Sequence, residues 1–190
     1  MEKYRYGTKE IIATVIGVGL LVFARWLEIY FVNAGLISDR IFDWFRIRVL
    51  VVSVIAVFFG PICGALCGVG GNLLLCALYE TSISYPEVFV LGLYGFILGL
   101  YFGKTHYDPG RFTPRTAVDF NVIQMITSII CSLFIVPLLQ FLFEGANVYA
   151  AVIAGAKRTV GNCILVGVVC TAAMFFVSLS RKKDRAGRRA

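Results

Sequence analysis

The sequence predicts an all-α membrane protein, a bundle of six transmembrane helices with both termini cytoplasmic. Three observations lead there. The chain has 190 residues, 59% hydrophobic and 15% charged, whereas a soluble domain carries about 25% charged residues. The apolar excess is gathered into runs, and Val49–Phe59, Ile62–Tyr79, Val88–Gly103 and Val122–Phe143 hold no Asp, Glu, Lys or Arg. The basic residues are distributed unevenly between alternate connections.

A hydrocarbon core about 30 Å thick takes roughly 20 helical residues to cross. Several such runs in so short a chain leave no room for a soluble domain, so residues 1–190 are expected to form one unit. A β-barrel also satisfies its backbone in lipid. Its strands alternate polar and apolar residues, and Ile129–Leu139 shows no alternation.

The spans are expected at 10–32, 41–59, 61–79, 87–103, 118–143 and 159–180. The first follows MEKYRYGTKE and runs past Arg25 without a small-residue cleavage site, as an uncleaved span does. Gly60-Pro61 reverses the chain between spans two and three, because proline suits a first helical turn. Tyr85-Pro86-Glu87 is a similar start for span four. Ala146–Ala156 is apolar but too short to cross, and is expected at the surface or leading into span six.

Orientation follows from charge. Lys3, Arg5, Lys9, Lys104, Arg111, Arg115 and the six basic residues of the tail 181–190 make twelve of the eighteen Lys and Arg. All twelve fall on one side, the cytoplasmic one by the positive-inside rule. The net charge of +7 has the same origin. The basic tail points to anionic lipid headgroups rather than to nucleic acid.

Catalytic and metal motifs are missing. There is no GxxxxGK[ST], HExxH or GxSxG, and the single histidine, His106, has no metal partners nearby. No cofactor is implied and no enzyme is expected. GVGGN (Gly68–Asn72) lies inside a span and follows no strand, so it is helix packing rather than a phosphate cradle. Cys63, Cys67, Cys76, Cys131, Cys163 and Cys170 all fall in spans, as small packing residues.

Small residues recur at helical spacing: Ala13, Gly17 and Ala24 in span one, Gly60, Gly64 and Gly68 entering span three, and Gly92, Gly95, Gly99 and Gly103 in span four. Such stripes allow close helix approach in lipid. In spans three and four they are expected to pack the bundle. In span one the stripe either packs the bundle or faces a partner membrane protein.

Six cations stand against the charge bias: Arg25, Arg40, Arg46, Arg48, Lys157 and Arg158. Charges at membrane depth usually face a cavity or each other. Glu28, Asp43 and Glu87 lie at similar depth, and Asp43 and Arg46 are spaced for a pair on one helix. Trp44 and Arg48 are expected to share a face, as are Arg158 and Asn162. Asn72 follows Gly70-Gly71. A polar, cationic pocket open to the outside is expected from Trp44, Arg46, Arg48, Asn72, Arg158 and Asn162, with Trp26 and Tyr149 as further aromatics. Arg40 and Lys157 are expected to snorkel. The stripe Asn121, Gln124 and Ser128 is expected to hydrogen-bond neighbouring helices.

The run FFGPICGALCGVGGNLLL (Phe58–Leu75), with FGP and glycines at every fourth position, resembles the S components of energy-coupling factor transporters. Phe120–Val169 resembles their riboflavin-type branch, with FN-x2-Q at its start, Pro137 late in span five and Asn162 early in span six. The similarity extends from about Thr8 to Ser180. It implies a six-helix subunit in the cell membrane that captures a vitamin or related micronutrient from outside. It also implies a transmembrane coupling protein and two cytoplasmic ATPases as partners, with Ala13 and Gly17 matching an AxxxA-like motif that contacts the coupling protein. Two departures stand out. Asp43, Trp44, Arg46 and Arg48 replace neutral polar groups before span two, and Leu73, Leu74 and Leu75 follow Asn72. Riboflavin is therefore not carried over as the substrate. A carboxylate or phosphate suits the arginines, which bind such groups bidentately. The alternative is a solitary transporter or channel without ATPase partners.

Overall fold

The computed structural model describes residues 7–187, apart from 37, 39–40, 42–43, 80–83 and 105–111. His106, Arg40 and Asp43 lie outside the described residues. Among the described residues the regular structure is helical. The helices are α1 (Thr8–Asn33), α2 (Ile47–Phe59), α3 (Pro61–Tyr79), α4 (Tyr85–Lys104), α5 (Pro114–Glu144) and α6 (Val148–Gly187). Five are long and apolar enough to cross a membrane, and α2 is the shorter one.

The second span corrects the expected range 41–59. Arg46 is extended (φ −96°, ψ 101°), and its backbone N–H donates to Asn162 Oδ1 at 2.9 Å. A side chain of α6 therefore sets where α2 begins. The 13 residues of α2 rise about 20 Å, short of the hydrocarbon thickness. Arg46 and Trp44 consequently do not share a helix with Arg48, as the spacing had implied.

The other ends follow local chemistry. Gly60 ends α2 at φ +99°, a conformation open to glycine, and Pro61 begins α3 at once. Thr113 caps α5, accepting from Thr116 N–H at 3.2 Å, with Pro114 in the first turn. Gly145 ends α5 in the left-handed region, as helix-ending glycines do. Ala146–Ala156 does not lie on the surface as a separate segment. It enters the first turns of α6, which continues unbroken for 40 residues. Within α5, Ile130–Ile135 is a π-helical turn.

Close contacts give the helix directions. A Cβ on Gly64 would sit 2.8 Å from the Gly95 carbonyl oxygen, and one on Gly68 would sit 2.7 Å from that of Leu91. These pairs run in opposite order, so α3 and α4 are antiparallel. The glycine stripes of spans three and four thus pack the bundle. Asn121 reaches Thr171 at 3.1 Å and Gln124 reaches the Cys163 carbonyl at 3.1 Å, so α5 and α6 are antiparallel too. α1 lies against α2 and α3, where a Cβ on Gly17 would meet Cys67 Sγ at 2.8 Å and Ile55 Cγ1 at 2.9 Å. The buried centre joins Leu21, Val52, Ala56, Cys67, Leu75 and Leu98. A second cluster joins Val57, Phe102, Phe120, Val166 and Met174.

Gly95→Val is expected to destabilise the bundle by about 2 kcal/mol through overpacking. Gly19, whose added Cβ would meet nothing within 4 Å, is the control. Gly19→Ala should be neutral or stabilise by up to about 1 kcal/mol. Thermal unfolding in detergent measures both, and equal melting temperatures for the two variants would contradict the packing.

Candidate ligand-binding site

Five of the six expected pocket residues line one cavity. Arg46, Arg48, Asn72, Arg158 and Asn162 come from the start of α2, from α3 and from α6. Counted out to its opening, the cavity holds ≈ 570 Å³ of empty space. It is a narrow space between side chains, lined by apolar residues such as Val49, Val90 and Val136 as well as by polar ones.

Glu87 organises the polar end. Its Oε2 accepts from Arg46 Nη1 at 2.7 Å and its Oε1 from Arg158 Nη1 at 3.0 Å. These side chains are 19–24% exposed, so the pairs are more sheltered than surface ion pairs. One carboxylate thus ties together the starts of α2 and α4 and the first third of α6. Arg48 is buried and donates to Asn72 Oδ1 at 2.7 Å. Asn162 holds the Arg46 backbone. Among the described lining residues there are three guanidiniums and one carboxylate.

The remaining lining comes from α4 and α5. From Glu87 to Tyr94, α4 advances seven residues, about 10 Å. The Tyr94 hydroxyl accepts from Ser53 Oγ at 3.3 Å. Ser128, Cys131, Ser132 and Val136 face the cavity from around the π-helical turn of α5. Such turns occur often at functional sites. The Ser128 hydroxyl is buried beside the Tyr94 hydroxyl and the Cys163 thiol.

The arginine-bearing ends of α2 and α4 lie at the end of the bundle that carries the α5–α6 connection. That end is opposite the start of α1.

Several expectations are corrected. Trp44 is exposed and is not among the lining residues; its backbone carbonyl lies against Gly161 of α6. Trp26 and Tyr149 are exposed as well, and Trp26 stacks with Phe23 and Tyr30 on the outside of α1. The ring in the cavity is Tyr94. Arg25 pairs within α1 with Glu28 at 3.2 Å. Ala13 and Gly17 are buried inside the bundle, so α1 turns Ile12, Ile16 and Leu20 outward in their place. Asn121 and Gln124 hydrogen-bond α6 as expected, but Ser128, on the same stripe, lines the cavity. Helical spacing could have flagged Ser128; only the crossing of α4 and α5 says what it faces.

Among the described residues no group of His, Cys, Asp and Glu is placed to hold a metal ion, and the six cysteines are free.

Comparison with known proteins agrees with this architecture. Residues 6–179 match the family described as the ECF-type riboflavin transporter, S component. A UPF0397 protein of Exiguobacterium sp. is 27% identical over 182 residues, covering 96% of this chain and 95% of its own. A UPF0397 protein of Staphylococcus aureus (strain Newman) is 27% identical over 171 residues, covering 90% of each chain. One from Lacticaseibacillus casei is 27% identical over 136 residues, covering 72% of each. No solved structure matches. The match over nearly the whole length, together with the apolar helices, places this multi-pass cell-membrane protein in the ECF-type riboflavin transporter S component family, a family of transporter components rather than enzymes.

Proposed function

We propose that the chain captures a vitamin-sized small molecule from outside the cell and delivers it to an ATP-driven importer. The observation that carries this is the cavity itself. Apolar and polar side chains line it together, and its polar groups converge from α2, α3, α4 and α6, as at small-molecule sites. Arg46, Arg48, Asn72, Arg158 and Asn162 are the proposed ligand-contacting groups, and Glu87 positions two of them. The partners are a transmembrane coupling protein and two cytoplasmic ATPases, since the chain has no nucleotide-binding motif to power uptake. With both termini cytoplasmic, the cavity opens outward, as capture requires. The outward apolar ridge of α1 then replaces Ala13 and Gly17 as the surface that α1 offers the coupling protein.

Four outcomes are expected. Uptake in a host lacking the coupling protein and ATPases should fall to background; undiminished uptake would favour a solitary transporter. A cysteine at Ala146, with the native cysteines replaced, should react with a membrane-impermeant maleimide in intact cells, whereas one at Thr113 should not. The reverse pattern would invert the topology. Glu87→Ala removes the carboxylate shared by two arginines and should cost about 3 kcal/mol of stability, read as a lowered melting temperature. Arg158→Ala should weaken capture at least tenfold in a binding assay on membranes.

A further inference from the structure

The polar residues of the cavity fall into two groups by exposure. The side chains of Arg46, Glu87 and Arg158 are 19–24% exposed. Arg48, Asn72, Tyr94, Ser128 and Asn162 are each 9% exposed or less. Position along the helices runs the same way. Glu87 lies in the first turn of α4, and Tyr94 lies about 10 Å further along it. Arg46 caps α2, whereas Arg48 is already inside it. The cavity therefore has an accessible end and a buried interior, and the Glu87 bridge stands at the accessible end. The opposite end is closed. There the Tyr94 hydroxyl meets Ser53 of α2 and stands beside Ser128 of α5.

The bridge is built so that it can open. Arg46 and Arg158 take different oxygens of one carboxylate, so Arg46–Glu87–Arg158 runs from α2 across α4 to α6. This crossing consists of side chains. The Arg46 backbone is held separately, by Asn162 Oδ1 at 2.9 Å. Its guanidinium can therefore swing away while the start of α2 stays in place. A fully buried pair would leave a bare charge when it parted. Here the partial exposure lets water replace the lost partner.

Resting on the capture role proposed above, we propose that the Glu87 bridge is the gate through which the ligand enters and leaves. With both pairs made, the interior is shut. When Glu87 releases either guanidinium and that side chain turns toward water, a path opens to Arg48, Asn72 and Tyr94. Glu87 is thus a gating residue. It sets how fast the cavity exchanges its contents, besides holding three helices together.

The test follows Cys131, which lines the cavity and is 2% exposed. The full chain in phosphatidylcholine nanodiscs is treated with iodoacetamide, a small neutral alkylating agent. Peptide mass spectrometry then times the modification of each cysteine. Cys67 is the internal reference, buried where α3 meets Gly17 of α1 and not part of the cavity lining. Glu87→Gln keeps the shape of the side chain, but its amide offers an acceptor to only one of the two arginines. Alkylation of Cys131 should become about tenfold faster, as expected for the loss of a charge-assisted hydrogen bond, and that of Cys67 should not change. A second arm uses the unaltered protein. Raising sodium chloride from about 0.05 to about 1 M screens partly exposed pairs, and should speed Cys131 about threefold with Cys67 unchanged.

An unchanged Cys131 rate in Glu87→Gln would overturn the gate. Where that variant does not fold, a Cys131 rate indifferent to salt would do the same. Equal acceleration of Cys131 and Cys67 would also overturn it, because Glu87 would then be a brace for the whole bundle. The capture role is judged separately, by uptake. Undiminished uptake in a host without the ATPases would remove that role and leave the alkylation result standing.

Discussion

A charged group in hydrocarbon must have a partner or a cavity, and Glu87 supplies both conditions for two arginines. Its carboxylate takes one guanidinium from the start of α2 and another from α6. Three helices are thereby held at one end of the bundle by a single side chain on the first turn of α4. The Asn162 contact to the Arg46 backbone reinforces the same junction and sets the first residue of α2. These bonds fix the start of α2 and offset the Arg46 charge at the polar end of the cavity.

The rest of the bundle keeps that junction in position by two different means. α2, α3 and α4 approach through glycine, backbone against backbone, as at Gly64 and Gly95. In lipid, where burying apolar surface gains little, this closeness is a main source of helix association. α5 and α6 instead use polar side chains, Asn121 to Thr171 and Gln124 to the Cys163 carbonyl. The cavity lies where the two kinds of packing meet. One wall is built from the glycine-packed helices and the other from α5 and α6. The π-helical turn of α5 and the contact of Gly155 with the Ser132 carbonyl fall at this boundary. The turn carries Cys131 and Ser132 on the cavity wall without breaking the span.

Much of this was legible from residue order. The uncharged runs announced helices, because a backbone in lipid has few other ways to satisfy its polar groups. The glycine stripes of α3 and α4 announced close packing, because helical periodicity places them on one face. Arg46, Arg48, Asn72, Arg158 and Asn162 stood out because charge and amide groups are costly where lipid should be. Family membership was also visible, in Phe58–Leu75 and Phe120–Val169, and the match over residues 6–179 bears it out.

What the sequence by itself determined is therefore composition, helical periodicity and the list of groups that needed partners. Which partner each group found was decided by the tertiary structure. Trp44 leaves the site because Asn162, 116 positions beyond Arg46, holds the chain extended just before α2. Ala13 and Gly17 turn inward because Ile55 and Cys67 fill the space beside them. Ser128 joins the cavity while Asn121 and Gln124 do not, although all three share a stripe. The physical reason is common to all three cases. Periodicity says which side of a helix a residue occupies, but where the helix begins and what each point along that side meets are set by what packs against it.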